Sequence, residues 1–153
     1  MISMAAQRRV HAKPAVYRRA VARGRLQLAA ATCRAIRGRR VEKGDPLGTA
    51  EVAGLAAMKR TSDLIPHCHN VPLTGSRVTV EVAPGGVRAE AEAETVGPTG
   101  VEMEALVGVT VALLTVWDMV KYLEKNDRGL YPTARLTDAR VVVKQKRPAK
   151  EVA

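Results

Sequence analysis

The sequence predicts an α+β sandwich in which a four-stranded antiparallel sheet carries helices on one face. Two adjacent stretches alternate apolar and polar residues across a tight Pro84-Gly85-Gly86 turn, which reads as a β-hairpin. Val101 to Lys125 holds a helical pattern throughout, and a Val-rich stretch follows it. Aromatic residues make up only 3% of the chain, with no Phe, so the core must be aliphatic. A length of 153 residues suits a single domain with one core. We read 1–153 as that domain, with polar tails at 1–13 and 147–153.

The elements follow in order. Residues 15–28 alternate in part, through Val16, Ala20, Ala22, Leu26 and Leu28, and read as a strand. Ala30 to Arg37 holds helix formers and stops at Gly38, a favoured helix end. Val41 to Pro46 is a loop, with Asp45 placed to cap a helix and Pro46 at its first position. That helix is expected to run to about Ile65, where Pro66 ends it.

Arg77 to Val82 is a strand. After the turn, Val87, Ala89, Ala91 and Ala93 face one way and Arg88, Glu90, Glu92 and Glu94 the other, so one face packs and one is wet. Gly97-Pro98-Thr99-Gly100 breaks the pattern before the long helix. Ala134 to Lys144 is a final strand, and the chain from Lys146 onward reads as a tail. The order β-α-α-β-β-α-β gives a sandwich of ferredoxin-like type.

The net charge of +10 calls for an explanation. It fits an Arg-rich solvated surface, a phosphate-bearing substrate or a nucleic acid. Basic residues crowd the first 43 positions, yet no helix-turn-helix, zinc-finger or RNA-binding signature accompanies them. The scarcity of aromatics also argues against a base-stacking platform. A non-catalytic basic nucleotide- or RNA-binding module therefore stays open as the second reading. Cys33 and Cys68 make no disulfide framework. No run approaches the ~18 consecutive apolar residues of a membrane span, and residues 1–13 lack a signal-peptide core. A cytoplasmic protein is expected.

Chemistry-bearing residues concentrate in His67-Cys68-His69, just after Lys59 and Arg60. In an extended run the two imidazoles would point the same way, roughly 7 Å apart, with Cys68 opposite. His-Cys-His is not a usual zinc spacing. An ordered loop, a metal pair, and a wall for substrate recognition or proton transfer all remain open.

Asp118 and Lys121 are three apart and share a helix face, either as a plain ion pair or as an acid–base pair. Because the surrounding helix is apolar, Asp118 is expected to be partly buried. Glu102 and Glu104 flank Met103 in the first turn of the same helix, where acids complement the helix dipole. Glu104 and Asp118 are separated by 14 positions, roughly 21 Å along the axis. One compact site does not readily take both from one copy of the helix: if both act, either the ligand is long or the site is shared between subunits. Lys43-Gly44-Asp45 precedes a helix N-terminus and reads either as a phosphate cradle or as a capped turn.

These motifs together resemble one family. Lys43-Gly44-Asp45, Ala56 to His69, Thr99 to Leu106 and Trp117 to Lys121 resemble the MoaC family of molybdenum cofactor biosynthesis, over roughly residues 15–146. The resemblance implies a cyclic pyranopterin monophosphate synthase, a phosphorus–oxygen lyase. Such an enzyme converts 3′,8-cyclo-7,8-dihydro-GTP to cyclic pyranopterin monophosphate and releases pyrophosphate. It implies a homohexamer built as a trimer of dimers, with sites at subunit interfaces. No cofactor or resident metal is implied, although Mg²⁺ is compatible with a triphosphate.

By this resemblance Asp118 is the catalytic acid/base, Lys121 its partner, and Lys43 a further functional lysine. His67, Cys68 and His69 match the substrate-binding loop, and Glu102, Met103 and Glu104 a second binding segment. Lys59, Arg60 and Arg18 are expected as phosphate contacts, and Lys144 matches a C-terminal family lysine. His67 stands where bacterial members usually have Leu, and Asn70 where they have Pro. With Tyr131 to Arg135 and Lys144 to Lys146 in place of a Gly-rich end, the chain is closer to the archaeal form.

Overall fold

The computed structural model describes residues 5–149. Residues 1–4 and 150–153, on which the outer parts of both expected tails fall, lie outside the described residues. The elements are β1 (Val16–Gln27), α1 (Ala30–Arg37), α2 (Pro46–Met58), α3 (Thr61–Leu64), β2 (Gly75–Ala83), β3 (Gly86–Gly97), α4 (Glu102–Glu124) and β4 (Arg135–Arg147). The sheet order is β2-β3-β1-β4 and every pairing is antiparallel. This is the expected ferredoxin-like α+β arrangement. The first helical crossover passes β3 and the second passes β1.

The hairpin pattern works as read. Val87, Ala89, Ala91 and Ala93 are fully buried, and pair across to β1 and β2. The opposite face carries a lattice of charge. Arg19 meets Glu92 at 2.5 Å and Arg23 meets Glu90 at 2.6 Å, while the Tyr17 hydroxyl donates to Glu94 at 3.0 Å.

Small residues let α2 and α4 cross closely. A Cβ at Gly54 would stand 2.9 Å from the Gly108 carbonyl oxygen, and one at Gly108 would stand 2.6 Å from Met58 Cγ. The scarcity of aromatics in the sequence is thus matched by tight contact between backbones.

Three boundaries differ from expectation. The helix from Pro46 does not continue to Ile65: Met58 ends α2, Lys59 and Arg60 interrupt it, and α3 is a separate turn. The Thr61 hydroxyl donates to the Met58 carbonyl at 2.9 Å and holds that break. β4 reaches Arg147, because Lys146 pairs with Arg18 and Arg147 with Tyr17. These two tail residues therefore belong to the sheet. Among residues 5–13, Ala6, Gln7 and Arg8 bond to the 67–69 loop. Finally, α4 is long and apolar enough by length and composition to cross a membrane, although no uninterrupted apolar run was read there. Half of its most apolar window is buried inside this fold, as a core helix requires.

Candidate functional site

Two clusters sit at opposite ends of α4. The first is built on Asp118. Glu42 donates its backbone N–H to the Tyr122 hydroxyl at 2.8 Å, which pins the loop before α2 against α4. Gly44 turns that loop with φ of 101°, and Asp45 caps α2 by accepting from the Leu47 N–H at 3.1 Å. Lys43 is thereby delivered to α4. Its Nζ donates to Asp118 Oδ2 and to the Asp118 carbonyl, both at 3.0 Å. Lys121 Nζ donates to Asp118 Oδ1 at 2.7 Å.

The shared helix face of Asp118 and Lys121 is as expected, but the burial is not. The Asp118 side chain is 57% exposed. It lies on the outer side of the helix, which also exposes Leu114, Tyr122 and Leu123, while Val116, Met119 and Val120 turn inward; its surroundings are set by two ammonium groups rather than by desolvation. Hydrogen bonds from Lys121 and then Lys43 hold its carboxyl below the usual range. The Asp118 hydrogen bond in turn raises the Lys121 ammonium. Lys43 was read as part of a phosphate cradle with the α2 N-terminus; here its ammonium is directed to Asp118 instead. Trp117 packs edge-on against Tyr131 at 5.8 Å next to this triad.

The second cluster is a cleft of about 410 Å³ bordered by His67, Cys68, His69, Glu102, Met103 and Glu104. The loop is not a fully extended run. Cys68 donates its N–H to the Ile65 carbonyl at 2.9 Å, and this turn brings all three residues of the motif to the cleft. Glu104 is only 3% exposed and its Oε2 has no hydrogen-bond partner among the described residues. Burial pushes its carboxyl up, and Glu102 nearby adds to the rise. Burial also raises the Cys68 thiol, with Glu104 and Glu102 reinforcing it. Burial pushes Glu102 up too, but Lys144 Nζ at 2.5 Å from Oε1, its backbone hydrogen bond and Arg18 together outweigh this, and it stays below the usual range.

The other expected residues divide. Arg18 donates Nε to the Gly97 carbonyl at 3.0 Å and Nη2 to the Pro98 carbonyl at 3.1 Å, tying β1 to the turn that enters α4. Lys144 joins the cleft cluster through Glu102. Lys59 does not; it borders a separate depression with Asn70 and Leu73. Arg60 is exposed, 3.9 Å from Asp63. Val71, Thr99 and Gly100 also line the cleft; none is among the expected site residues, although Thr99 and Gly100 open one of the motifs that carry the resemblance. Thr99 and Gly100 lie in the segment that marked the helix start, which was the available signal. Among the described residues no group of three or more His, Cys, Asp or Glu is placed to hold a metal ion.

Comparison with known proteins gives a consistent result. Residues 8–147 match the model of the MoaC family. A protein of Pyrococcus abyssi named probable cyclic pyranopterin monophosphate synthase is 51% identical over 134 residues, covering 88% of this chain and 84% of that protein. A protein of the same name from Methanospirillum hungatei is 49% identical over 137 residues, 90% of this chain and 88% of its own length. One from Methanothermobacter thermautotrophicus, named probable cyclic pyranopterin monophosphate synthase accessory protein, is 46% identical, covering 90% of this chain and 86% of its own length.

Proposed function

The chain belongs to the MoaC family, and on that premise we propose that it is a cyclic pyranopterin monophosphate synthase, a lyase of molybdenum cofactor biosynthesis. Its substrate is derived from GTP; we take it to be 3′,8-cyclo-7,8-dihydro-GTP. The reaction opens a purine-derived ring, closes a pyrazine ring and forms a cyclic phosphate as pyrophosphate leaves. The observation that carries this reading is the Asp118 carboxylate held between Lys121 and Lys43, contributed by segments far apart in the sequence.

Such a triad suits the chemistry. The ammonium groups can neutralise a polyphosphate and the charge that develops on leaving pyrophosphate. Lys121 can give a proton and Asp118 can take one, as ring opening and closure require. Mg²⁺ fits as an optional companion of the triphosphate, with no cofactor required. His67, Cys68, His69, Glu102, Met103 and Glu104 form the recognition wall, supported by Arg18 and Lys144. Lys59 and Arg60 remain candidates only for outlying phosphate contacts.

The two clusters lie roughly 21 Å apart along one helix. We therefore read them as halves of sites completed between copies of the chain, in a cytoplasmic homohexamer built as a trimer of dimers. The basic-module reading is weaker. Arg18, Arg19 and Arg23, from the basic N-terminal third, are all engaged by internal acceptors. The test is direct: purified protein with the cyclised nucleotide should yield pyranopterin and pyrophosphate. Undiminished activity in an Asp118→Asn, Lys121→Ala double variant would remove the assignment.

A further inference from the structure

The N-terminal arm meets the His-Cys-His loop through three hydrogen bonds. His67 Nδ1 lies 2.7 Å from the Ala6 carbonyl oxygen, and His69 Nε2 lies 2.6 Å from the Arg8 carbonyl oxygen. Between them, Gln7 Nε2 donates to the Cys68 carbonyl at 2.6 Å. Positions 6, 7 and 8 therefore meet positions 67, 68 and 69 in step. Each of these bonds uses a side chain from one segment and a carbonyl from the other.

A carbonyl oxygen only accepts. The imidazole nitrogen facing it must carry the proton. His67 is thus protonated on Nδ1 and His69 on Nε2. In a neutral imidazole the second nitrogen is then a bare acceptor, and the bond made by the first nitrogen decides which one that is. The two rings are locked in opposite tautomers.

We infer that the arm of residues 6–8 is a positioning element of the cleft: it fixes these opposite tautomers and leaves His67 Nε2 and His69 Nδ1 as hydrogen-bond acceptors. This rests on the proposed function for what the cleft receives. Both rings border the cleft, together with the Glu102 carboxylate. These two imidazole acceptors, with the Glu102 carboxylate, suit the N–H edge of a purine-derived ring. It does not favour phosphate oxygens, which suit the ammonium groups at the far end of α4. The arm thereby helps to set which end of the substrate enters which cluster. His67, unusual beside the bacterial pattern, acquires a role: its ring is one of the two anchors for the arm.

The test uses the full-length protein with ring-¹⁵N histidine, the two signals being assigned through His67→Asn and His69→Gln variants. Two-bond ¹H–¹⁵N spectra should show His67 protonated on Nδ1 and His69 on Nε2. Gln7→Pro removes the bond to Cys68 and restrains residue 6. It should turn His67 toward the Nε2–H form that predominates in an unrestrained histidine side chain. The same variant should raise KM for the cyclised nucleotide about three- to ten-fold, as expected for a lost hydrogen bond, with kcat nearly unchanged. Identical tautomers in the unsubstituted protein would overturn the inference, as would a Gln7→Pro variant with unaltered tautomers and KM. Absence of turnover in the unsubstituted protein would instead overturn the functional reading, since the spectra stand without it.

Discussion

Replacing Glu104 with Gln should make the protein more stable at neutral pH, and by an amount that depends on pH. Glu104 is almost fully buried, and one of its carboxylate oxygens has no hydrogen-bond partner among the described residues. Burial raises its carboxyl above the ordinary 4.5. The folded chain therefore holds a proton that the unfolded chain gives up just above that value. Its contribution to stability is fully present below 4.5 and is lost as pH rises through the raised value. Gln keeps the shape and has no charge to desolvate. Gln leaves an unpaired polar atom there just as the protonated acid does, so the difference is the cost of burying the charge, about 1–3 kcal/mol. The variant should lie near the parent in acid and above it by about that much at neutrality. For a chain of this size that is on the order of 2–4 °C in melting temperature per kcal/mol. Urea unfolding followed by circular dichroism, from below pH 4.5 to neutrality, measures the difference at each pH. A difference that is constant across this range would mean that the Glu104 carboxyl is not destabilised by burial of its charge.

Two further outcomes follow from the geometry. Gly108→Ala would press a methyl group against Met58 Cγ and Ala91 at the α2–α4 crossing, and should cost about 1–3 kcal/mol in chemical denaturation. Lys43→Ala removes the second ammonium from Asp118. Since Lys121 and Lys43 together hold that carboxyl down, its pKa should rise, and the acid limb of the kcat/KM profile should move to higher pH, with kcat falling about 10²-fold or more.

Much of the fold was legible because local signals agreed with one another. The α1 bounds followed from the run of helix formers and Gly38, the α2 start from Asp45 and Pro46, and the packed face of β3 from strict alternation. The break at Lys59 and Arg60 was not legible. Both are good helix formers, and the break is accompanied by a local side-chain hydrogen bond from buried Thr61 back to the Met58 carbonyl, which composition at Lys59 and Arg60 does not announce. The exposure of Asp118 was hidden for a related reason: apolar neighbours in sequence turn to the other side of the helix. Its pairing with Lys121 could be read from spacing, whereas the approach of Lys43 depends on a loop pinned by Tyr122. The arm at Ala6 to Arg8 carries no local pattern, because its contacts are made by its carbonyls and one Gln side chain.

In the proposed hexamer one active site takes the Lys43–Asp118–Lys121 triad from one copy of the chain and the His-Cys-His cleft from another. Co-expressing two single variants, Asp118→Asn and His69→Ala, tests it most directly. Each alone should be nearly inactive toward the cyclised nucleotide. Random mixing of two kinds of subunit leaves about a quarter of the shared sites with both halves intact. Pyrophosphate release should recover to about that fraction of the unsubstituted protein. Activity no higher in the mixed oligomer than in either variant alone would contradict it.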